Sequence, residues 1–338
     1  MDIAAEDKKL ARLTNPGPDD QLREILRGSN FEDYKAPLFI AWQLNSACNL
    51  RCLHCCEESG HSMPDEMTKE EALDFCGQIA ESNIPYVAIS GGEPMLCPYF
   101  FEVCEFIRNN SISLKIETNG EFIDEQAADR LAELKLRSVQ ISLDGATPET
   151  HERLRAGGNW AKAVSACKCL IKGGVNTEIV FVPTKFNYHE IGDIIDMAYS
   201  MGAYGVYTGK TMRIGRAAKN WDTICSSLEE YDKFFNILKE KADAYEGKMK
   251  VYYYPSDIIE ELKYRLDQPA ASLLILPNGK VKLISALPFI CGDLKKQSLR
   301  EVWQNYRLAW RNPKVVDFAE KVIADPQLLA QSNNWIEI

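Results

Sequence analysis

Residues 86-YVAISGGEPMLCPYFFEVCEFIRNNSISLKIETNG-120 decide the fold. YVAIS (86–90) and SLKIET (113–118) are short apolar runs of strand length. Between them, 98-PYFFEVCEFIRNN-110 has the apolar spacing of an amphipathic helix opened by a proline. A strand, a helix and a second strand share a sheet through a crossover, which makes the strands parallel.

The same rhythm runs outward in both directions. Strand-like runs recur at LFIAWQL (38–44), SVQISL (138–143), NTEIVFV (176–182) and YGVYT (204–208). Helical periodicity fills 68–82, 124–134, 160–174 and 189–202. Six βα units predict an α/β fold: a partial (β/α)6 TIM-like parallel barrel with its chemistry at the C-terminal ends of the strands. A doubly wound open sheet is the competing arrangement. After residue 210 the rhythm changes to a charged helix (228–246), VYYYP (251–255), a helix at 257–266, a hairpin around Pro277-Asn278-Gly279 and a final helix at 298–312. The expected organisation is a polar lead-in helix and loop over 1–37, a core barrel over 38–225, and a smaller α+β unit over 226–338.

Composition narrows the function classes. The 338 residues are 46% hydrophobic and 26% charged, with no apolar run of eighteen, which predicts a globular chain outside the membrane. A net charge of −10 without a basic face excludes a nucleic-acid partner. The N-terminus lacks the pattern of a secretory signal, and eleven cysteines is an odd count, so reduced thiols and a cytoplasmic location are expected. Cys76, Cys104, Cys167 and Cys169 sit in helical segments and read as small buried hydrophobes.

Four cysteines and two histidines crowd into 46-SACNLRCLHCCEESGHSM-63, just past the first strand. Cys48, Cys52 and Cys55 have the spacing C-x3-C-x2-C. Three thiolates can hold three irons of a four-iron cubane and leave the fourth iron open to a small molecule. The alternatives are a zinc knuckle completed by His54 or His61, or a redox dithiol at Cys52 and Cys55 that leaves Cys48 unexplained.

This triplet, continued by 90-SGGEP-94, 117-ETNG-120, 141-ISLDGATPETHERLR-155 and 214-IGRA-217, resembles the radical S-adenosylmethionine enzymes in motif order and placement. The resemblance implies one [4Fe-4S] cluster on Cys48, Cys52 and Cys55, with His54 in the aromatic place before the third cysteine. Cys56 is then a packing residue and His61 stays off the metal. It also implies S-adenosylmethionine along Ser90, Gly91, Gly92 and Glu93, then Glu117 and Asn119, Ser142 and Asp144, Arg155, and the loop at Ile214. Glu93 would accept hydrogen bonds from the ammonium group of the cofactor. The implied chemistry is reductive cleavage to a 5′-deoxyadenosyl radical that abstracts a substrate hydrogen, fed by a low-potential donor such as flavodoxin or ferredoxin.

The segment 276–305 is similar to the SPASM or twitch extension found in that family, with the hairpin, Gly292-Asp293-Leu294 and Ser298-Leu299 in place. Its cysteines are missing: Ile284 stands at the hairpin position. The expectation is a substrate-covering unit without an auxiliary cluster, and therefore a redox-neutral outcome such as epimerisation, elimination, decarboxylation or addition. Epimerisation needs a hydrogen-donating thiol, for which Cys291 and Cys225 are the candidates. A ribosomally made peptide is the expected substrate, with a separate leader-peptide-binding protein. The alternatives are a small molecule such as a sugar, nucleoside or tetrapyrrole, or a non-catalytic iron–sulfur or zinc scaffold.

Overall fold

A computed structural model describes residues 31–338. The lead-in helix and loop expected over 1–37 fall outside these, except for one 3-10 turn at Phe31–Asp33 and the loop after it.

Six strands follow in order: β1 (Phe39–Gln43), β2 (Tyr86–Ser90), β3 (Ser113–Thr118), β4 (Ser138–Ser142), β5 (Thr177–Phe181) and β6 (Gly205–Gly209). The helices between them are α1 (Lys69–Glu81), α2 (Phe100–Asn109), α3 (Glu125–Glu133), α4 (Pro148–Leu154), α5 (Trp160–Lys172) and α6 (Ile191–Met201). Thr68, Asp124 and Asn159 start α1, α3 and α5 by accepting from backbone N–H groups of the first turn. Past β6 come α7 (Arg216–Lys219), α8 (Trp221–Ile224), α9 (Leu228–Ala244) and β7 (Lys250–Tyr254). The remainder is α10 (Ile258–Asp267), β8 (Ser272–Ile275), β9 (Lys280–Lys282), β10 (Phe289–Asp293), α11 (Leu299–Ala309), α12 (Pro313–Ala324) and β11 (Ile336–Glu337).

Strands β1 to β7 lie side by side in chain order, all parallel. A doubly wound sheet would reverse its order at a switch point, and this one does not. The sheet is longer than the six expected strands: β7 extends it beyond β6, and β8 pairs in parallel with the other side of β1. The hairpin then adds β9 antiparallel to β8, turning at Gly279 with φ 79°. Strands β7 and β8 are not paired, so the barrel stays incomplete.

Alternation along the strands separates two environments. Ile40, Trp42, Val87, Ile89, Leu114, Ile116, Val139 and Ile141 are fully buried, and Trp42 meets Phe75 of α1 edge-on at 5.0 Å. The alternate residues Ala88, Lys115, Glu117, Glu178 and Tyr207 line a cavity of about 850 Å³ inside the barrel. There the Lys115 ammonium lies 3.2 Å from Glu178, 3.8 Å from Glu117 and 4.6 Å from the Tyr207 ring centroid. Among the described residues, no helix is long and apolar enough to cross a membrane.

Candidate active site

The loop carrying Cys48, Cys52 and Cys55 leaves β1 at the C-terminal end of the sheet and closes on itself. Cys48 N–H donates to Gly60 O at 3.1 Å, and Gly60 N–H to Ser46 O at 2.9 Å. The Gly-Gly-Glu turn after β2 packs backbone to backbone against it: Gly92 N–H reaches Asn45 O and Glu93 N–H reaches Ala47 O, both at 2.7 Å. A Cβ on Gly91, whose φ is 147°, would come within 2.5 Å of Asn45 O.

Glu93 is wholly buried, and its carboxylate is taken up by protein donors. Oε1 accepts from Thr118 Oγ1 at 2.7 Å and Met95 N at 3.2 Å, while Oε2 accepts from Asn119 N at 2.8 Å. The residue read as an ammonium acceptor therefore ties the turn to the end of β3. Burial pushes its pKa up to about 7, against the pull of those three donors. The folded protein thus keeps a proton that the unfolded chain releases near pH 4.5. Stability is expected to fall as pH rises from about 4.5 to 7 in the absence of added cofactor, and Glu93→Gln to flatten that limb. Urea midpoints across this range check it; an unchanged slope in the variant contradicts it.

A second network joins β4 to the cysteines. Asp144 is fully buried; its Oδ2 lies 2.7 Å from Arg155 Nε and 3.0 Å from His54 Nε2, and its Oδ1 accepts from Val182 N at 2.8 Å. Burial opposes the charge, but Arg155 and His54 hold the Asp144 carboxyl well below the usual range. Arg155 Nη1 also reaches Cys52 Sγ at 3.7 Å, and Leu50 N–H donates to Cys48 Sγ at 3.4 Å. Burial raises the Cys48 thiol, and raises Cys52 to about 11 although Arg155 pulls it down. Thiols of this kind become thiolates when a cationic metal centre accepts them.

The donor set suits an iron–sulfur cubane better than a zinc ion. A zinc knuckle would need a histidine as its fourth ligand, and both are engaged elsewhere: His54 Nε2 lies 3.0 Å from Asp144 Oδ2, and His61 Nε2 3.5 Å from Arg51 Nη2. A cubane instead takes each cysteine on a different iron. His54 Nδ1 and Asn45 Oδ1 are buried beside the loop without a hydrogen-bond partner, as polar atoms left for a ligand would be.

The remaining expected site residues divide by where their side chains lie. Glu117 points into the barrel cavity, its side chain 42% exposed. Ser90 and Ser142 end β2 and β4, half-buried. Asn119 is locked by its own side chain, donating to Asn49 Oδ1 at 2.9 Å and accepting from Glu121 N at 2.9 Å. Ile214 is buried in the core. The loop it belongs to grips the cysteine loop: Arg216 N–H donates to Cys55 O at 2.9 Å, and its guanidinium to Cys52 O at 3.0 Å and Ser59 O at 2.7 Å. Arg216 was missed as a site residue; its Ile-Gly-Arg-Ala motif marks the loop but not the partners that the guanidinium takes. Cys225 follows α8, beside Arg213, with its Sγ donating to Ser226 O at 3.2 Å. Cys291 lies in a bulge of β10, packs toward Tyr306 of α11, and donates to Val281 O at 3.4 Å. Burial pushes the Cys291 thiol up to about 12, and none of these contacts reaches the cysteine loop.

Comparison with known proteins agrees with this geometry. The chain is 33% identical over 215 residues to the mycofactocin maturase MftC of Mycobacterium ulcerans, a match taking in 62% of this chain and 56% of that protein. The chain thus spans little more than half of that relative. It is 26% identical over 294 residues to the AdoMet-dependent heme synthase of Methanosarcina barkeri, covering 80% of this chain and 83% of the relative. Its fold is similar to that of Streptococcus suis SuiB bound to S-adenosylmethionine, with a TM-score of 0.66 and 16% identity over 84% of this chain and 68% of that one. Residues 42–198 match the Radical SAM superfamily, and the three-cysteine loop, the Gly-Gly-Glu turn, Asp144 and Arg155 all lie within that stretch.

Proposed function

We propose that this protein is a radical S-adenosylmethionine enzyme that modifies a ribosomally made peptide. The arrangement that carries this reading is the Asp144–Arg155–Cys52 network, which places a buried, charge-balanced support under one thiol of a three-cysteine loop. When bound, a [4Fe-4S] cluster and S-adenosylmethionine supply a 5′-deoxyadenosyl radical. Cys48, Cys52 and Cys55 would hold the cluster. Glu93, with three protein donors on its carboxylate, would hold the Gly91-Gly92 turn in place and has room on Oε2 for one donor more from the cofactor. Ser90, Asn119, Ser142 and Asp144 mark the row of strand ends along which the rest of the cofactor would lie.

The barrel cavity is the candidate substrate chamber: it opens among the strand starts at Phe39, Tyr86, Ser138 and Ser272, rises along β3 to Glu117, and has room for one or two side chains. The stretch 226–338 would cover it without an auxiliary cluster, and the division at 225 is functional, since β7 and β8 belong to the same sheet as the core. A redox-neutral outcome follows for such a chain. Cys225 is the better hydrogen donor of the two candidate thiols, since it is half-buried whereas Cys291 is only 2% exposed. A flavodoxin or ferredoxin and a separate leader-peptide-binding protein complete the proposed cytoplasmic system. Support for a peptide comes from the maturase relative and from SuiB, which has been solved bound to its precursor peptide.

A second reading, a carboxylate-bearing small molecule such as a tetrapyrrole, has its own support. The heme synthase matches this chain over more of both lengths than the maturase does. The chamber is lined by five basic and three acidic side chains in a chain of net charge −10.

Anaerobic reconstitution with iron and sulfide tests the common core. About four irons per chain and dithionite-dependent formation of 5′-deoxyadenosine are expected. One zinc per chain, or no cofactor cleavage, overturns the reading. A mass change in a short peptide encoded beside the gene separates the peptide from the tetrapyrrole.

A further inference from the structure

Lys282 is one of the largest fully buried side chains in the molecule, 1% exposed, and the site described above makes no use of it. It sits on β9, in the stretch expected to cover the barrel, on the same strand face as Lys280. Lys280 pairs with Glu337 on β11. Lys282 instead turns under the cysteine loop: its Nζ donates to Asn333 Oδ1 at 3.0 Å, and Asn333 Nδ2 donates to Cys56 O at 2.8 Å. The ammonium is thus two hydrogen bonds from the peptide that follows Cys56, one residue past Cys55. Its electrostatic neighbours there are the Cys56 thiol and the Glu57 carboxylate. The junction is closed on its other side by Gly215, where a Cβ would lie 2.1 Å from Cys56 O and 3.0 Å from Asn333 Nδ2.

A buried ammonium is costly, and among the described residues this one has a single hydrogen-bond partner for three donors. A methionine of similar length would fill the space without that cost. Packing alone therefore does not account for a lysine at this position. A positive charge in a region of low dielectric does favour the addition of an electron nearby.

We propose that Lys282 is a positioning residue that tunes the cluster held by Cys48, Cys52 and Cys55, its buried ammonium raising the cluster's reduction potential. The inference rests on the cluster reading above and extends it. Glu57 acts in the opposite direction, and Arg155 beside Cys52 adds to the effect of Lys282.

The test is an anaerobic redox titration of the reconstituted full chain, followed by the electron paramagnetic resonance signal of the reduced cluster. In Lys282→Met the ratio of reduced to oxidised cluster at a fixed potential is expected to fall about tenfold, a midpoint about 59 mV more negative for a one-electron couple. Lys282→Arg is expected to stay within about twofold of wild type, since it keeps the charge. Asn333→Ala keeps the ammonium and cuts the strap, and is also expected to stay within about twofold. Glu57→Gln is expected to move the midpoint upward, which tests the sign independently should Lys282→Met fail to fold. An unmoved midpoint in Lys282→Met on an intact cluster overturns the proposal. So does an Asn333→Ala shift as large as that of Lys282→Met, or a downward shift in Glu57→Gln. A wild-type protein without iron and sulfide overturns the cluster reading itself, and does so before any potential is measured.

Discussion

Arg155→Met is expected to lower folding stability at neutral pH by about 3–5 kcal/mol, the range seen when one partner of a buried ion pair is removed. The reason is what remains. Asp144 is fully buried, and without Arg155 its carboxylate keeps only His54 and the Val182 N–H. The Cys52 thiol loses its nearest cation at the same time. Arg155→Lys is expected to recover part of the loss, because one ammonium cannot span Asp144 Oδ2 and Cys52 Sγ as the guanidinium does. The pH dependence has a definite sign. Asp144 has a folded pKa below its unfolded value of 3.8, so its contribution is present above that pH and is lost as the solution becomes more acidic. In Arg155→Met this contribution is absent already at neutral pH, so the acid limb below about pH 4 should be shallower. That window lies below the one assigned to Glu93, and the two groups can be read separately. Urea midpoints between pH 3 and 8 check the prediction, with Asp144→Asn/Arg155→Met completing a double-mutant cycle. Equal midpoints for wild type and Arg155→Met would mean that the ion pair does not support the loop.

The barrel was legible because its strands are written in two alternating alphabets. Val87, Ile89, Val139 and Ile141 face helices and are apolar without exception, while Lys115, Glu117 and Glu178 face the cavity and are not. The cysteines and the Gly-Gly-Glu turn were legible because each needs a particular residue type at a particular spacing. Strand β7 was not, since the long connection through α7, α8 and α9 hides that Lys250–Tyr254 is one more parallel crossover. Helix α12, missed in the tail, begins at a capping Asn312 followed by Pro313, a start signal in retrospect. The supports of the cysteine loop were illegible for a different reason. Arg216 grips Cys52 from 164 residues away and Asn333 grips Cys56 from 277, and no local pattern records a partner at that distance. Glu93 shows a third kind of limit. A carboxylate next to two glycines reads as a ligand contact, and only the burial and the three donors around it show that it also fastens the turn to β3.

Gly92→Ala is expected to abolish cluster retention and to cost stability at the upper end of the about 1–3 kcal/mol typical of overpacking. A Cβ at this position would lie 2.1 Å from Ala47 O and 2.6 Å from both Ala47 C and Ser46 O. These are backbone atoms, so no rotamer change can relieve the clash. They are also held: Glu93 N–H donates to Ala47 O, Gly92 N–H to Asn45 O, and Ser46 O accepts from Gly60 N–H. The added methyl must therefore push apart the turn and the loop that begins two residues before Cys48. A cluster needs its thiolates in a fixed relation, so displacement there reaches iron binding directly. Gly77→Ala supplies the contrast within the same chain. Gly77 lies inside α1 with nothing within 4 Å of a built Cβ, and alanine there is expected to stabilise the helix by about 0.5–1 kcal/mol. Iron content after reconstitution and urea midpoints distinguish the two: loss of both in Gly92→Ala, full iron with a raised midpoint in Gly77→Ala. Full iron in Gly92→Ala would show that the turn can withdraw without disturbing the cysteines. The close backbone packing of the two segments would then be a feature of the fold rather than of the site.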